Sequence, residues 1–159
     1  MYQIQVKRCI VQQKFSPNLG WKVTVDIDAM ELGKGDQHPE GKRENAENHH
    51  NWFLKQGITI GKHPQFGRAD IVAEHELLGT YIIEAEGDTS KQKEQALYSA
   101  LGQIILLMNE ADRNLTYGLA VPESKQWEFQ LRKIPHYIRD TLNIRLYLVS
   151  KNKVREILD

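Results

Sequence analysis

The chain predicts an α/β fold, a mixed β-sheet flanked by helices, on three observations. Residues 58–86 carry three strand patterns in succession behind a helical stretch. Residues 89–108 carry the most apolar helical pattern of the chain. Beyond them strand and helix alternate, which suits parallel crossovers. With 159 residues, 40% of them hydrophobic, the chain is long enough for one core, so residues 1–159 are expected to form a single domain.

The elements follow in order. Residues 1–30 alternate apolar and polar around the turn signal Ser16-Pro17-Asn18-Leu19-Gly20, which predicts a β-hairpin addition at the N-terminus. Residues 32–42 are polar and punctuated by Gly and Pro, so 1–42 read as a β addition and its loop. From Arg43 to Gln56, Ala46, His50, Phe53 and Leu54 recur at helical spacing, and Gly57 stops the helix. Strands are expected over 58–60, 67–74 and 80–86, and Thr89 with Gln92 fits a capping box before the long helix. A buried strand over 116–122 closes a unit of residues 43–122. Residues 123–159 add two helical stretches broken at Ile134-Pro135 and a strand over 144–149.

Three acids interrupt this apolar pattern. Asp70 sits in Ala69-Asp70-Ile71-Val72, and Glu84 and Glu86 close Tyr81-Ile82-Ile83-Glu84-Ala85-Glu86. Side chains alternate along a strand, so Glu84 and Glu86 share a face, and a turn near Leu77–Gly79 would bring Asp70 beside Glu84. Clustered carboxylates repel, and burial disfavours their charge. A hard divalent cation such as Mg²⁺ resolves both problems.

Asp70, then Glu84-Ala85-Glu86, then a Gln-containing amphipathic helix resembles the PD-(D/E)XK restriction-endonuclease-like nuclease superfamily. The element order αβββαβ over residues 43–122 is similar too, and Gly67-Arg68-Ala69-Asp70-Ile71-Val72 resembles the second-strand motif of Holliday-junction resolvases. The resemblance implies a restriction-endonuclease-like core that hydrolyses DNA phosphodiesters with metal-activated water. It implies Mg²⁺, with Mn²⁺ as substitute, held by Asp70 and Glu84, with Glu47 of the first core helix completing the shell. The family's lysine is replaced by Glu86; either Glu86 helps hold a second cation, or Lys91 supplies the missing charge. Lys91 and Gln95 on the following helix join the catalytic set, and Arg68 and Lys93 are candidate phosphate contacts. DNA is the expected partner, and a homodimer the expected assembly. The alternative is a nuclease-like domain that no longer cuts and binds DNA or protein instead.

Other classes are disfavoured. With 21 basic and 21 acidic residues, no net field draws the chain to nucleic acid or membrane. The single cysteine, Cys9, and the lack of a secretory pattern point to the cytoplasm, and no apolar run is long enough for a membrane span. His49-His50-Asn51 lacks partners for a zinc set, Gly33-Lys34-Gly35 lacks the spacing of a nucleotide loop, and no nucleophile elbow is present.

Overall fold

A computed structural model describes residues 1–33, 41–88, 92–109, 112 and 114–159. Helix α1 (Gln3–Lys14) leads into β1 (Lys22–Val25), α2 (Lys42–Lys55), β2 (Thr59–Ile60), β3 (Ile71–His75) and β4 (Gly79–Ala85). Then come α3 (Lys93–Leu106), β5 (Leu115–Pro122), α4 (Lys125–Leu131), α5 (His136–Leu142), β6 (Ile144–Val149) and β7 (Val154–Glu156). The strands form one mixed sheet in the order β2-β1-β3-β4-β5-β6-β7. β1, β3 and β4 run antiparallel to their neighbours in turn, while β4, β5 and β6 are parallel. α3 makes the first parallel crossover, and α4 and α5 make the second, as the alternating patterns predict.

The N-terminus departs from its expected hairpin. Residues 3–14 are helical, with the Tyr2 N–H capped by Gln5 Oε1 at 2.6 Å. Ile4, Val6, Lys7, Ile10 and Val11 are its buried residues, a stripe with a period near 3.5. A lysine at the centre of that stripe breaks the apolar helical signal, and the local Gln-Ile-Gln-Val alternation imitates a strand. β1 is no hairpin arm either; it lies inside the sheet between β2 and β3. The predicted β addition is therefore a helix and an inner strand of the sheet itself.

Two apolar layers sandwich the sheet. Ile4 and Ile10 of α1, Phe15 just after it and Phe53 of α2 pack on Val25, Ile71, Ile83 and Ala85. Leu97, Ala100 and Ile104 of α3 and Trp127 of α4 pack on the opposite face, with Val72, Ile82, Leu119 and Leu146. Burying these side chains contributes about 1.5–3 kcal/mol for each large aliphatic or aromatic group. Because Ile82 faces α3 while Ile83 and Ala85 face α1, alternation puts Glu84 on the α3 side.

β3, expected from residue 67, starts four residues later. β3 begins at Ile71, so Asp70 precedes it by one residue, and Glu86 follows β4 by one. Gln92 holds the N-cap position of α3; Thr89 and Lys91 lie outside the described residues. β7, a short antiparallel strand after the Ser150–Lys153 turn, carried no clear sequence signal. Among the described residues, no helix is long and apolar enough to cross a membrane.

Candidate carboxylate site

Hydrogen bonding extends the β1–β3 and β4–β5 pairings past their named ends. The Asp26 N–H donates to the Asp70 carbonyl at 3.0 Å, and Glu86 N–H donates to Ala120 at 2.9 Å. Asp26, Asp70, Glu84 and Glu86 are thereby gathered at one end of the inner strands. They line a recess of about 490 Å³ with Gln3, Asp28, Arg68, Ala69, Gln103, Leu106 and Leu107.

Asp70 is held from three directions. Its Oδ2 accepts the Ala85 N–H at 2.9 Å and the Gln3 amide at 3.3 Å, and its Oδ1 lies 3.0 Å from Lys7 Nζ. Lys7 also donates to the Asp26 carbonyl at 2.7 Å and lies 2.8 Å from Glu31. Its side chain is 0% exposed. It reaches Asp26 and Asp70 just beyond β1 and β3, where the sheet no longer separates its two faces. Burial works against the Lys7 charge, but Asp70 and Glu31 outweigh it and hold its pKa above the ordinary value. Glu31 is fixed in turn by the Asp28 N–H at 3.0 Å.

Gly87 makes this junction possible. A Cβ there would lie 2.6 Å from the Gln3 nitrogen and 3.0 Å from the Met1 carbonyl oxygen. The end of β4 and the start of α1 meet backbone to backbone, which brings Gln3 onto Asp70.

The other two acids are not neutralised in this way. Burial, the Asp70 charge and a hydrogen bond with Asp70 push Glu84 up to about 9. Burial, then the Asp70 charge, push Glu86 up to about 7. Glu84 is 4% exposed, and Glu86 has no ion-pair partner among the described residues. Near neutral pH Glu84 therefore keeps its proton, hydrogen-bonded to Asp70.

Among the described residues, no three His, Cys, Asp or Glu side chains converge as a ready-made metal cage. Mg²⁺ characteristically takes one or two carboxylates and fills its remaining positions with water or phosphate. The Asp70–Glu84 pair, hydrogen-bonded together at the wall of an open recess, fits that smaller requirement, in which a cation would take the place of the Glu84 proton.

The expected site residues divide accordingly. Asp70, Glu84, Glu86 and Arg68 come together in the recess. Glu47 does not line it; it is exposed on α2 and pairs with Arg43 at 3.6 Å. The helix beside Asp70 is α1, and it brings Gln3 and Lys7 where an acid of the first core helix was expected. Gln95 and Lys93 line a different groove, with Lys125 and Phe129, and Lys93 lies 3.9 Å from Asp88. From α3 it is Gln103 that faces the acids. Lys91 lies outside the described residues. Lys7, Gln3, Asp26 and Asp28 were missed by sequence reasoning; the one available signal was a lone lysine on an apolar stripe.

Two of the described histidines are held by their neighbours. His63 Nδ1 accepts the N–H groups of Gln65 and Phe66, and His49 Nδ1 contacts Arg8 at 3.2 Å. Comparison with protein-family models, curated proteins and solved structures finds no match to the chain.

Proposed function

We propose that the chain is a metal-dependent deoxyribonuclease with Mg²⁺, or Mn²⁺ in its place, held by Asp70 and Glu84. The observation that carries this reading is the meeting of Asp70, Glu84 and Glu86 in one recess at the end of the inner strands. When bound, Mg²⁺ supplies positive charge that polarises a phosphodiester and favours attack by water. Lys7, Gln3 and the Ala85 N–H fix the orientation of Asp70. Glu86 is the carboxylate we assign to take the proton of the attacking water, since it is not tied up by a cation among the described residues. Arg68, exposed at the rim, contacts the phosphate backbone, and Leu106 and Leu107 at the end of α3 limit water on the opposite wall.

The test is cleavage of plasmid, single-stranded and branched DNA in Mg²⁺ or Mn²⁺, with Asp70→Asn alongside. Metal-dependent cleavage that disappears in Asp70→Asn supports the reading. Absence of cleavage on all three substrates, together with no heat of Mg²⁺ binding, ends it.

One observation favours a second reading, a non-cutting module that binds DNA. Both Asp70 oxygens already have protein partners, so the cluster is partly satisfied without a cation. This reading predicts salt-dependent DNA affinity that Asp70→Asn leaves intact.

A further inference from the structure

A second cavity, of about 490 Å³, opens on the other side of α1 from the carboxylates. Gln5, Arg8 and Gln12 recur at three- and four-residue spacing along one stripe of α1 and line it. His49 of α2 and Lys151 of the β6–β7 turn close it, and Cys9 and Met1 add less polar wall. Its volume is within the ~300–1,000 Å³ range of small-molecule sites.

The lining is one-sided in charge. It contains Arg8 and Lys151 and no Asp or Glu. Neither cation forms an ion pair with an acid among the described residues, although the chain carries equal numbers of acidic and basic side chains. A solvated surface lysine is commonplace, but Arg8 is not a free surface arginine. Its guanidinium stacks 4.8 Å from the Trp52 ring centroid, and its Nη1 sits 3.2 Å from His49 Nδ1. Burial and the Arg8 charge keep His49 below the ordinary histidine value, so its neutral ring can accept from Arg8. The guanidinium is thus braced on two sides while most of its five N–H groups remain uncommitted. A braced planar fork is the side chain best matched to the oxygens of a phosphate. Gln5 and Gln12 add neutral amide donors, and the Met1 and Cys9 wall suits an organic body.

We propose that this cavity binds a small organic phosphate, gripped by Arg8 and Lys151 and seated between α1 and α2. The inference is independent of the nuclease reading, because the cavity uses a stripe of α1 that does not face Asp70.

Cys9, the single cysteine of the chain, is a built-in reporter in the cavity wall. The rate at which a thiol reagent modifies Cys9 in the full chain would be measured with adenosine 5′-monophosphate, with adenosine, and with inorganic phosphate. The monophosphate is expected to slow labelling by about tenfold at ten times its Kd, where roughly one site in ten is empty. Adenosine should leave the rate unchanged, and inorganic phosphate should protect more weakly than the monophosphate. Lys151→Gln, a change at an exposed turn, should weaken protection several-fold, and Arg8→Gln should abolish it. Protection that persists at full strength in Lys151→Gln overturns the proposal, as does equal protection by adenosine. No protection by millimolar monophosphate overturns it as well. DNA cleavage by Arg8→Gln and Lys151→Gln reads the other site separately, since neither residue lines the carboxylate recess.

Discussion

Lys7 Nζ lies 3.0 Å from Asp70 Oδ1 at the bottom of a fully buried side chain. Asp70, Glu31 and the Asp26 carbonyl use all three ammonium N–H groups, so the cation is saturated by the protein. One residue thereby ties α1, the end of β1 and the start of β3 into a single electrostatic unit. The orientation of the carboxylate site depends on how α1 docks.

Removing that cation should be costly. Lys7→Met leaves Asp70 and Glu31 facing each other without compensation, a loss of about 3–5 kcal/mol for breaking a buried pair. Urea unfolding should show the midpoint fall sharply. Lys7→Met combined with Glu31→Gln should lose less than the sum of the two single changes, because the second removes one stranded charge. Additive losses across this cycle would show that Lys7 and Glu31 do not act as a pair.

The same cluster fixes a pH dependence. Glu84 rises from 4.5 to about 9 in the fold and Glu86 from 4.5 to about 7. Between those values the native chain holds protons that the unfolded chain has released, so stability falls as pH rises. The contribution is complete below about pH 4.5, declines through pH 7 as Glu86 ionises, and is lost through pH 9 as Glu84 follows. Lys7, raised above 10.5, keeps its own contribution across this window. Denaturant unfolding without divalent cations should show a loss on the order of a few kcal/mol from pH 5 to pH 9. Glu84→Gln should flatten most of the decline. A wild-type protein equally stable at both values would contradict the assignment.

How much of this was legible depends on what each pattern reports. The β3–β4 pair, the long helix and the parallel strands β5 and β6 were readable because hydrophobic periodicity records local geometry. Asp70 and Glu84 were readable because an acid inside an apolar run is anomalous wherever the run lies. α1 was not, since Lys7 is polar in sequence and core in space, and its partners Glu31 and Asp70 are distant along the chain. Glu47 was misplaced for the same reason: which helix stands beside Asp70 is a property of sheet order. The inner position of β1, between β2 and β3, was visible in no single segment.

Gly87 should resist substitution although it carries no side chain of its own. In Gly87→Ala the methyl group meets the Gln3 nitrogen at 2.6 Å, and backbone on both sides cannot yield as a side chain would. The start of α1 must move away from β4, and the Gln3 amide must leave Asp70. A loss of about 1–3 kcal/mol is expected, as for overpacking in a core. Hydrogen exchange at the Ala85 N–H should quicken as its bond to Asp70 loosens. Wild-type stability and exchange in Gly87→Ala would show that this junction is soft.

Glu86→Lys distinguishes the roles of the three acids. Glu86 is half-buried near Asp70 and Glu31 and is raised by burial and by their charges. A lysine there gains attraction from Asp70 and Glu31 but keeps the burial cost and faces Lys7, so without divalent cations the variant should stay within about 1 kcal/mol of wild type near pH 8. Its response to Mg²⁺ then separates two arrangements. With the ion on Asp70 and Glu84, Mg²⁺ should still raise the Tm of Glu86→Lys, by a reduced amount because the new charge repels the cation, and Asp70→Asn should abolish the rise. With Glu86 itself a necessary ligand, the Mg²⁺-dependent rise should vanish in Glu86→Lys. A wild-type Mg²⁺ shift in Asp70→Asn would remove Asp70 from the metal site altogether, and with it the cutting mechanism proposed for this recess.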